Sequence, residues 1–430
     1  MNRIPATGIR PSVPYGAAFL ACVLLPLFAC SAPASDAEAK ENTGERIYHV
    51  DYRVTPDPAA AGARVELRVS QRSSFLREVD MPLRDGQLSN ISGDGDVSFR
   101  DDRLVWKVPE SGGKLSWFAV INNKRNHETY DAYIDQDWAL FRGMDIMPSA
   151  RTRVLAGSES RTRLEFDLPD GWSSVTPYFG RDDVYEITNP GRSFVTPTGW
   201  IVLGDIGVRN ETIGHVLTKV AGPTGHSIRR MDMLALMRWN LPELLRLLPD
   251  FPDRLTFVSA GEPMWRGGLS APNSFYIHAD RPLISENATS TLLHEVVHVG
   301  MRLVAEPGAD WIVEGLAEYY SLEMLRRSGT ISNERYRTAH AELKSWGRRT
   351  RELCTERSSG SNTARAVGIL AATNAEIRKA TAEKASLDQV LRAVASHKGK
   401  ITVEHFREIV AEVAGQPVEA LKPGKLPGCS

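Results

Sequence analysis

Two histidines four residues apart, His294 and His298, flank Glu295 in the run HEVVH. On a helix, residues i and i+4 share a face, so both imidazoles reach one metal ion. Glu295 lies about 100° further round the same helix, placed to hold a water at the metal without being a ligand. A Lewis acid beside a general base is the pairing that cleaves an amide at neutral pH. Around the motif, Thr289, Ser290 and Thr291 give way to Leu292, Leu293, Val296, Val297, Val299 and Leu303, the pattern of a helix buried in a core. Ser285 or Asn287 is expected to cap its start and Pro307-Gly308 to end it. Two histidines in a purely structural core helix would each need a polar partner, which favours the metal reading.

A catalytic zinc takes three protein ligands and keeps a fourth position open. A second helix, opened by Asp310 or Ala309 and closed by Gly329, offers carboxylates: Glu314 and Glu318 stand one turn apart among Trp311, Ile312, Leu316 and Tyr319. Glu314 is assigned as the third ligand, completing one zinc site per chain. Glu318 then accepts the outer N–H of His294 or His298 and fixes that ring's tautomer. The two glutamates exchanged is the alternative assignment. A closed structural zinc site is disfavoured, since such sites have four protein ligands and are usually rich in cysteine, and no cysteine lies near this helix pair.

HEVVH followed by WIVEGLAEYY resembles the gluzincin metallopeptidases, whose third ligand is a glutamate on a second helix. The segment running on through Ser321-Leu322 to Arg327-Ser328-Gly329-Thr330-Ile331-Ser332 is most similar to the glycyl aminopeptidase family. The likeness covers about residues 165–415. It takes in Pro169-Asp170-Gly171-Trp172, Gly267-Gly268-Leu269, Glu376-Ile377-Arg378 and Ser386-Leu387-Asp388. It implies a thermolysin-like catalytic domain preceded by a β domain that walls the cleft, with a peptide or protein substrate.

Two departures qualify the expected activity. Aminopeptidases of this type place a glutamate shortly after Gly-Gly-Leu to bind the substrate's amine, and here Ser270 stands at that point. Gly267, Gly268, Leu269 and Ser270 are thus taken as substrate-binding, with aminopeptidase and endopeptidase both open. The related enzymes also carry a tyrosine that donates to the oxyanion, but no tyrosine follows Tyr336. The matching position falls near Arg365, with Tyr276 and His405 as other candidate donors. The competing reading is a catalytically impaired zinc protein that binds peptides or envelope partners.

The rest of the chain must position these groups. Alternation such as Tyr48, Val50, Tyr52 and Val54 against His49, Asp51 and Arg53 makes residues 46–212 a β-sandwich-like, antiparallel domain. Period-3.6 patterning from Met231 to Leu248 marks a helix. Leu255–Val258 and Ser274–His278 read as strands, the latter an edge on which an extended substrate pairs. The zinc domain spans 213–330, and 331–425 reads as helical, with Thr402 as a cap and Gly415 as a stop. The expected class is α+β and multidomain.

Arg3 and Arg10 precede an apolar run from Ala17 to Ala29, an export signal rather than a spanning helix. Leu27-Phe28-Ala29-Cys30 resembles a bacterial lipobox, making 1–30 a lipoprotein signal, Cys30 the lipidated residue and 31–45 a flexible tether. The chain then faces the periplasm on an outer-membrane lipid anchor. Cleavage after Ala32 or Ala34, giving a soluble periplasmic or secreted protein, is the alternative. Cys354 and Cys429 are left in the folded part, either as one disulfide or as two buried thiols. Net charge is −1 with signs interspersed and no basic stripe, so nucleic acid is not an expected partner.

Overall fold

Tyr48, Val50, Tyr52 and Val54 are buried and the residues between them are not, so the strand Ile47–Asp57 turns one face to a core. The computed structural model describes residues 46–84, 86–188 and 194–429; the expected signal, Cys30 and the tether lie outside the described residues. Ile47–Asp57 pairs antiparallel with Gly62–Ser70 on one side. On the other it pairs parallel with Glu159–Phe166, so the N-terminal region is not antiparallel throughout. The reason is topological: the partner arrives after a long excursion that builds the four-stranded sheet and three strands of a five-stranded one, not through a hairpin. A seven-stranded and a four-stranded sheet, together with part of a five-stranded sheet, share one apolar core around Trp106, Trp117 and Phe141. Within that five-stranded sheet, Trp138–Arg142 pairs with Trp200–Gly204.

A second five-stranded sheet begins at β1 (Ile206–Ile213), earlier than residue 213. β1 and β2 (Val216–Pro223) form a hairpin across the expected boundary, so the hydrogen-bonded ladder fixes where this sheet starts. Helix α1 (Arg230–Leu247) follows, then β3 (Arg254–Ala260), β4 (Gly268–Ala271) and β5 (Ser274–His278). The spatial order is β1-β2-β3-β5-β4, with β2, β3 and β5 parallel and β4 antiparallel at the edge. Side-chain alternation gives the sheet two different faces. Val216, Val220, Leu255, Phe257, Phe275 and Ile277 enter the helical core. Ala221, Val258, Ala260 and Tyr276 point the other way, onto Trp138, Leu140, Trp200 and Val202.

The helices are α2 (Thr291–Met301), α3 (Asp310–Arg327), α4 (Asn333–Gly347), α5 (Ser361–Ala380), α6 (Leu387–Ala395) and α7 (Val403–Ala414). α3 is buried on nearly every side, as a central helix must be. Gly315 lets α5 lie directly on it, since a Cβ there would meet the Ala366 Cβ at 2.6 Å. At the far end of α3, Glu323 accepts from Arg326 Nη2 and Arg327 Nε, both at 2.7 Å, and from the Tyr336 hydroxyl of α4. Arg327 also reaches Asp388 of α6 through two bonds of 2.9 Å, and the Tyr320 hydroxyl donates to the same carboxylate at 3.0 Å. Cys354 and Cys429 form a disulfide, and the Leu353 N–H donates to the Pro427 carbonyl at 2.8 Å beside it. No helix among the described residues is long and apolar enough to cross a membrane.

Candidate metal centre

The Ser290 hydroxyl accepts the Leu293 N–H at 3.3 Å and caps α2. Ser285 and Asn287 do not cap it; the Ser285 hydroxyl closes its own turn on the Thr289 N–H. At the other end Arg302 adopts φ 51° and its N–H returns to the His298 carbonyl, so the helix stops before Pro307-Gly308. α3 starts after Ala309 without a side-chain cap and is followed by Gly329 at φ 73°.

These two helices bring His294, His298 and Glu314 together. One ligand atom from each lies within 4.8 Å of the others. The two Nε2 atoms are 3.0 Å apart. Glu314 approaches His294 Nε2 at 3.3 Å and His298 Nε2 at 3.4 Å. Zinc bonded tetrahedrally at about 2.0–2.1 Å would set its donors about 3.3 Å apart. The three donors thus fit zinc in identity, number and spacing. Glu318 Oε2 lies 3.0 Å from His294 Nδ1, the ring nitrogen facing away from this cluster. That contact holds the proton on Nδ1 and turns Nε2 to the cluster, the nitrogen a metal would take in place of a proton.

Burial opposes charge at the centre, and for the His294–Glu314 pair the partners outweigh it. Burial opposes charge on His294, yet hydrogen bonds to Glu314 and Glu318 and the neighbouring carboxylates hold its pKa well above the ordinary value. Glu314 pays the same desolvation but is carried well below the carboxylate range by its two imidazoles. Glu295, 6% exposed, is shifted upward by burial against the lowering influence of both histidines. Asp310, at the start of α3, is raised by burial while the Ser358 N–H donates to it at 2.6 Å. The sequence carried no signal for Asp310 in this setting, because Ser358 reaches it from a distant loop.

The open edge of the sheet lies over Glu295. It is formed by β4; Ser274–His278, expected at the edge, is flanked by β3 and β4. A Cβ on Gly268 would sit 2.9 Å from Glu295 Oε1 and 2.7 Å from Thr291 Cγ2, so only glycine lets the strand come this close. The Ser270 N–H donates to the Glu295 carboxylate. The Gly267 carbonyl accepts from the His278 N–H, so by antiparallel alternation Gly268 and Ser270 turn their backbone groups outward. Trp200 Nε1 donates to the Leu269 carbonyl at 2.8 Å, and the Trp200 N–H donates to Ser274 Oγ at 2.8 Å. Trp200 therefore pins the edge strand to the N-terminal region, a role invisible to sequence patterning.

Two of the candidate oxyanion donors, Tyr276 and His405, are engaged away from this centre. Tyr276 faces away from α2 and is fully buried, its hydroxyl donating to the Trp265 carbonyl at 2.9 Å. The alternation of β5 forces this, because Phe275 and Ile277 take the α2 side. His405 pairs with Glu408 at 3.2 Å on α7 and stacks on His397. Arg365 packs its backbone against Gly347 of α4, and its Nε is buried without a partner.

No protein-family model and no curated protein sequence matches this chain. Solved structures do. An aminopeptidase N family protein from Idiomarina loihiensis superposes with a TM-score of 0.59 at 15% identity, covering 80% of this chain and 70% of that one. An M1 zinc metallopeptidase from Deinococcus radiodurans gives 0.56 at 15% identity, covering 90% and 94%. Aminopeptidase A of Legionella pneumophila, solved with aspartic acid, gives 0.52 at 11% identity over 87% of this chain and 49% of its own length. At these identities the likeness establishes a shared fold, with an α+β arrangement and a helical C-terminal region.

Proposed function

We propose that this chain is a zinc-dependent peptidase of the bacterial cell envelope. The observation that carries the reading is a trio of donors, His294, His298 and Glu314, at the spacing of a tetrahedral zinc with buried Glu295 beside them under an open strand edge. Zinc held there would supply a Lewis acid for the scissile carbonyl and a water acidified to a pKa of about 7. Glu295 takes the proton of the attacking water and passes it to the leaving amine. The Ser270 N–H keeps its carboxylate aimed. Glu318 orients His294 from behind. An extended peptide lies along β4, pairing with the outward backbone groups of Gly268 and with the Ser270 carbonyl.

The test is metal content together with turnover of a quenched-peptide library. Zinc near one per chain with cleavage supports the peptidase, and the cut positions separate aminopeptidase from endopeptidase. Tyr276 and His405 bonded elsewhere favour a second reading, a zinc-bearing protein that binds peptides or envelope partners without turnover. Stoichiometric zinc with no cleavage of any peptide would establish that reading, and no zinc would sink both.

The envelope placement rests on Leu27-Phe28-Ala29-Cys30 and the serine that follows. The mature N terminus is expected at a diacylglyceryl-modified Cys30, in outer-membrane fractions. Mass spectrometry finding an unmodified terminus after Ala32 or Ala34 would replace the anchor with a soluble periplasmic or secreted form.

A further inference from the structure

Trp346 is 45% exposed, and its ring forms part of the wall of a cavity of about 460 Å³. The cavity lies between α4 and the loop that leads into α2. On α4, Ala339, Leu343 and Trp346 are spaced by four and three residues, so they share one face. Ala339 and Leu343 are buried and supply a floor continuous with the helical core. Asn287 and Thr289 form the opposite wall. Arg335 ties the two walls together, its Nη2 donating to the Ser285 carbonyl at 2.8 Å.

Both walls lead to the metal centre. Thr289 stands two residues before Thr291, whose Cγ2 would meet a Cβ on Gly268 of the edge strand β4 at 2.7 Å. From Thr291 to Glu295 the helix rises about 6 Å, the length of about two residues of extended peptide. On the other side, Trp346 rests against Gly360, where a Cβ would lie 3.4 Å from its Cζ2. Two residues before Gly360, the Ser358 N–H donates to Asp310 at 2.6 Å. Asp310 lies one turn ahead of Glu314 on α3. The cavity is therefore flanked by the strand edge through one wall and by the metal-bearing helix through the other.

Its lining decides what enters. An indole face above an aliphatic floor gains most from burying a large apolar side chain, and a second ring adds an offset or edge-on contact. Glu342 and Arg349 stand exposed at the rim with opposite charges, so the cavity favours neither an acidic nor a basic group. We propose that this cavity is the subsite for a bulky apolar or aromatic side chain of the peptide substrate, with Trp346 as its specificity-determining residue. A peptide running along β4 past Glu295 meets it within about two or three residues of the bond being cut. The substrate class assigned here rests on the peptidase reading, but binding alone tests it.

The experiment is calorimetric titration of the full exported protein carrying Glu295→Gln, so that bound peptide persists. The ligands are acetylated, amidated alanine peptides in which a single Phe is moved from one position to the next, with the all-alanine peptide as reference. Phe at one position, or at two neighbouring ones, is expected to tighten binding about tenfold, and Asp or Lys there to bring no gain. Trp346→Ala should erase the difference between the Phe and all-alanine peptides. Ser345→Trp, which fills the cavity from an exposed position of α4, is the second variant and should erase it too. The readout is a ratio within each variant, so a general loss of affinity does not imitate it. No gain from Phe at any position, or a preference kept by both variants, overturns the proposal. So does a dimer that Trp346→Ala dissociates while the preference stays, since the face would then be a contact between copies. A preference for Phe in a wild type that cleaves none of these peptides would sink the peptidase and leave the subsite standing.

Discussion

Glu295→Gln is expected to lower peptide turnover by about 10²–10⁴-fold, the usual contribution of general acid–base catalysis, while zinc content stays that of the wild type. The substitution is nearly isosteric, which matters here because the side chain is 6% exposed and wedged beneath Gly268. The amide oxygen can still accept the Ser270 N–H, so the edge strand keeps its position. Only basicity is removed. Glu295 is not among the three clustered donors, so metal affinity has no reason to change. Turnover of a cleavable library peptide, with zinc measured on the same samples, is the check. Retained cleavage at full zinc would mean that another base serves the water and would undo the role given to Glu295.

The second large effect is on stability. Glu323→Ala is expected to cost on the order of 3 kcal/mol, because it removes the buried carboxylate from Arg326 and from the Tyr336 hydroxyl and leaves Arg327 with Asp388 alone. Burial works against the Glu323 charge, yet these partners hold its pKa down to about 2 from an ordinary 4.5. A carboxylate held low contributes stability that is complete above its unfolded value and lost as pH falls through the folded one. For Glu323 that window runs from 4.5 down to about 2, and the contribution is on the order of 3 kcal/mol. Denaturant unfolding should therefore show the wild type weakening across this window and Glu323→Ala starting lower with a flatter profile. Equal midpoints at pH 7 would show that the network tying α3 to α4 and α6 is not stabilising.

What could be read from the residues was what is local. His294, Glu295 and His298 share one turn of helix, and Glu314 and Glu318 share another, so 3.6-residue periodicity alone puts each set on a face. That α2 and α3 meet with these faces opposed is a tertiary fact, carried by cores no short motif encodes. Tyr276 shows the limit clearly. Its strand was readable, but which side of the strand meets α2 depends on the sheet's packing, and that side belongs to Phe275 and Ile277. The edge is hidden from the sequence for a related reason: Gly268–Ala271 is a short run that becomes a strand only by pairing with Ser274–His278. Trp200 lies 69 residues from the carbonyl it holds, and such a bond leaves no periodic trace. The parallel pairing of Ile47–Asp57 with Glu159–Phe166 was hidden in the same way, since alternation specifies a face and not a partner.

The Cys354–Cys429 disulfide closes a span of 75 residues, worth about 4 kcal/mol on the chain-entropy account. Cys354 also rests against Gly308, two residues before α3 begins, so the bond braces the approach to the helix bearing Glu314. This bears on how the protein is made in the laboratory. Material expressed in a reducing cytosol would carry two thiols in place of that brace, and would understate both heat resistance and metal retention. Preparations secreted through an oxidising compartment, or refolded under a thiol–disulfide couple, are the ones whose zinc content can be taken at face value.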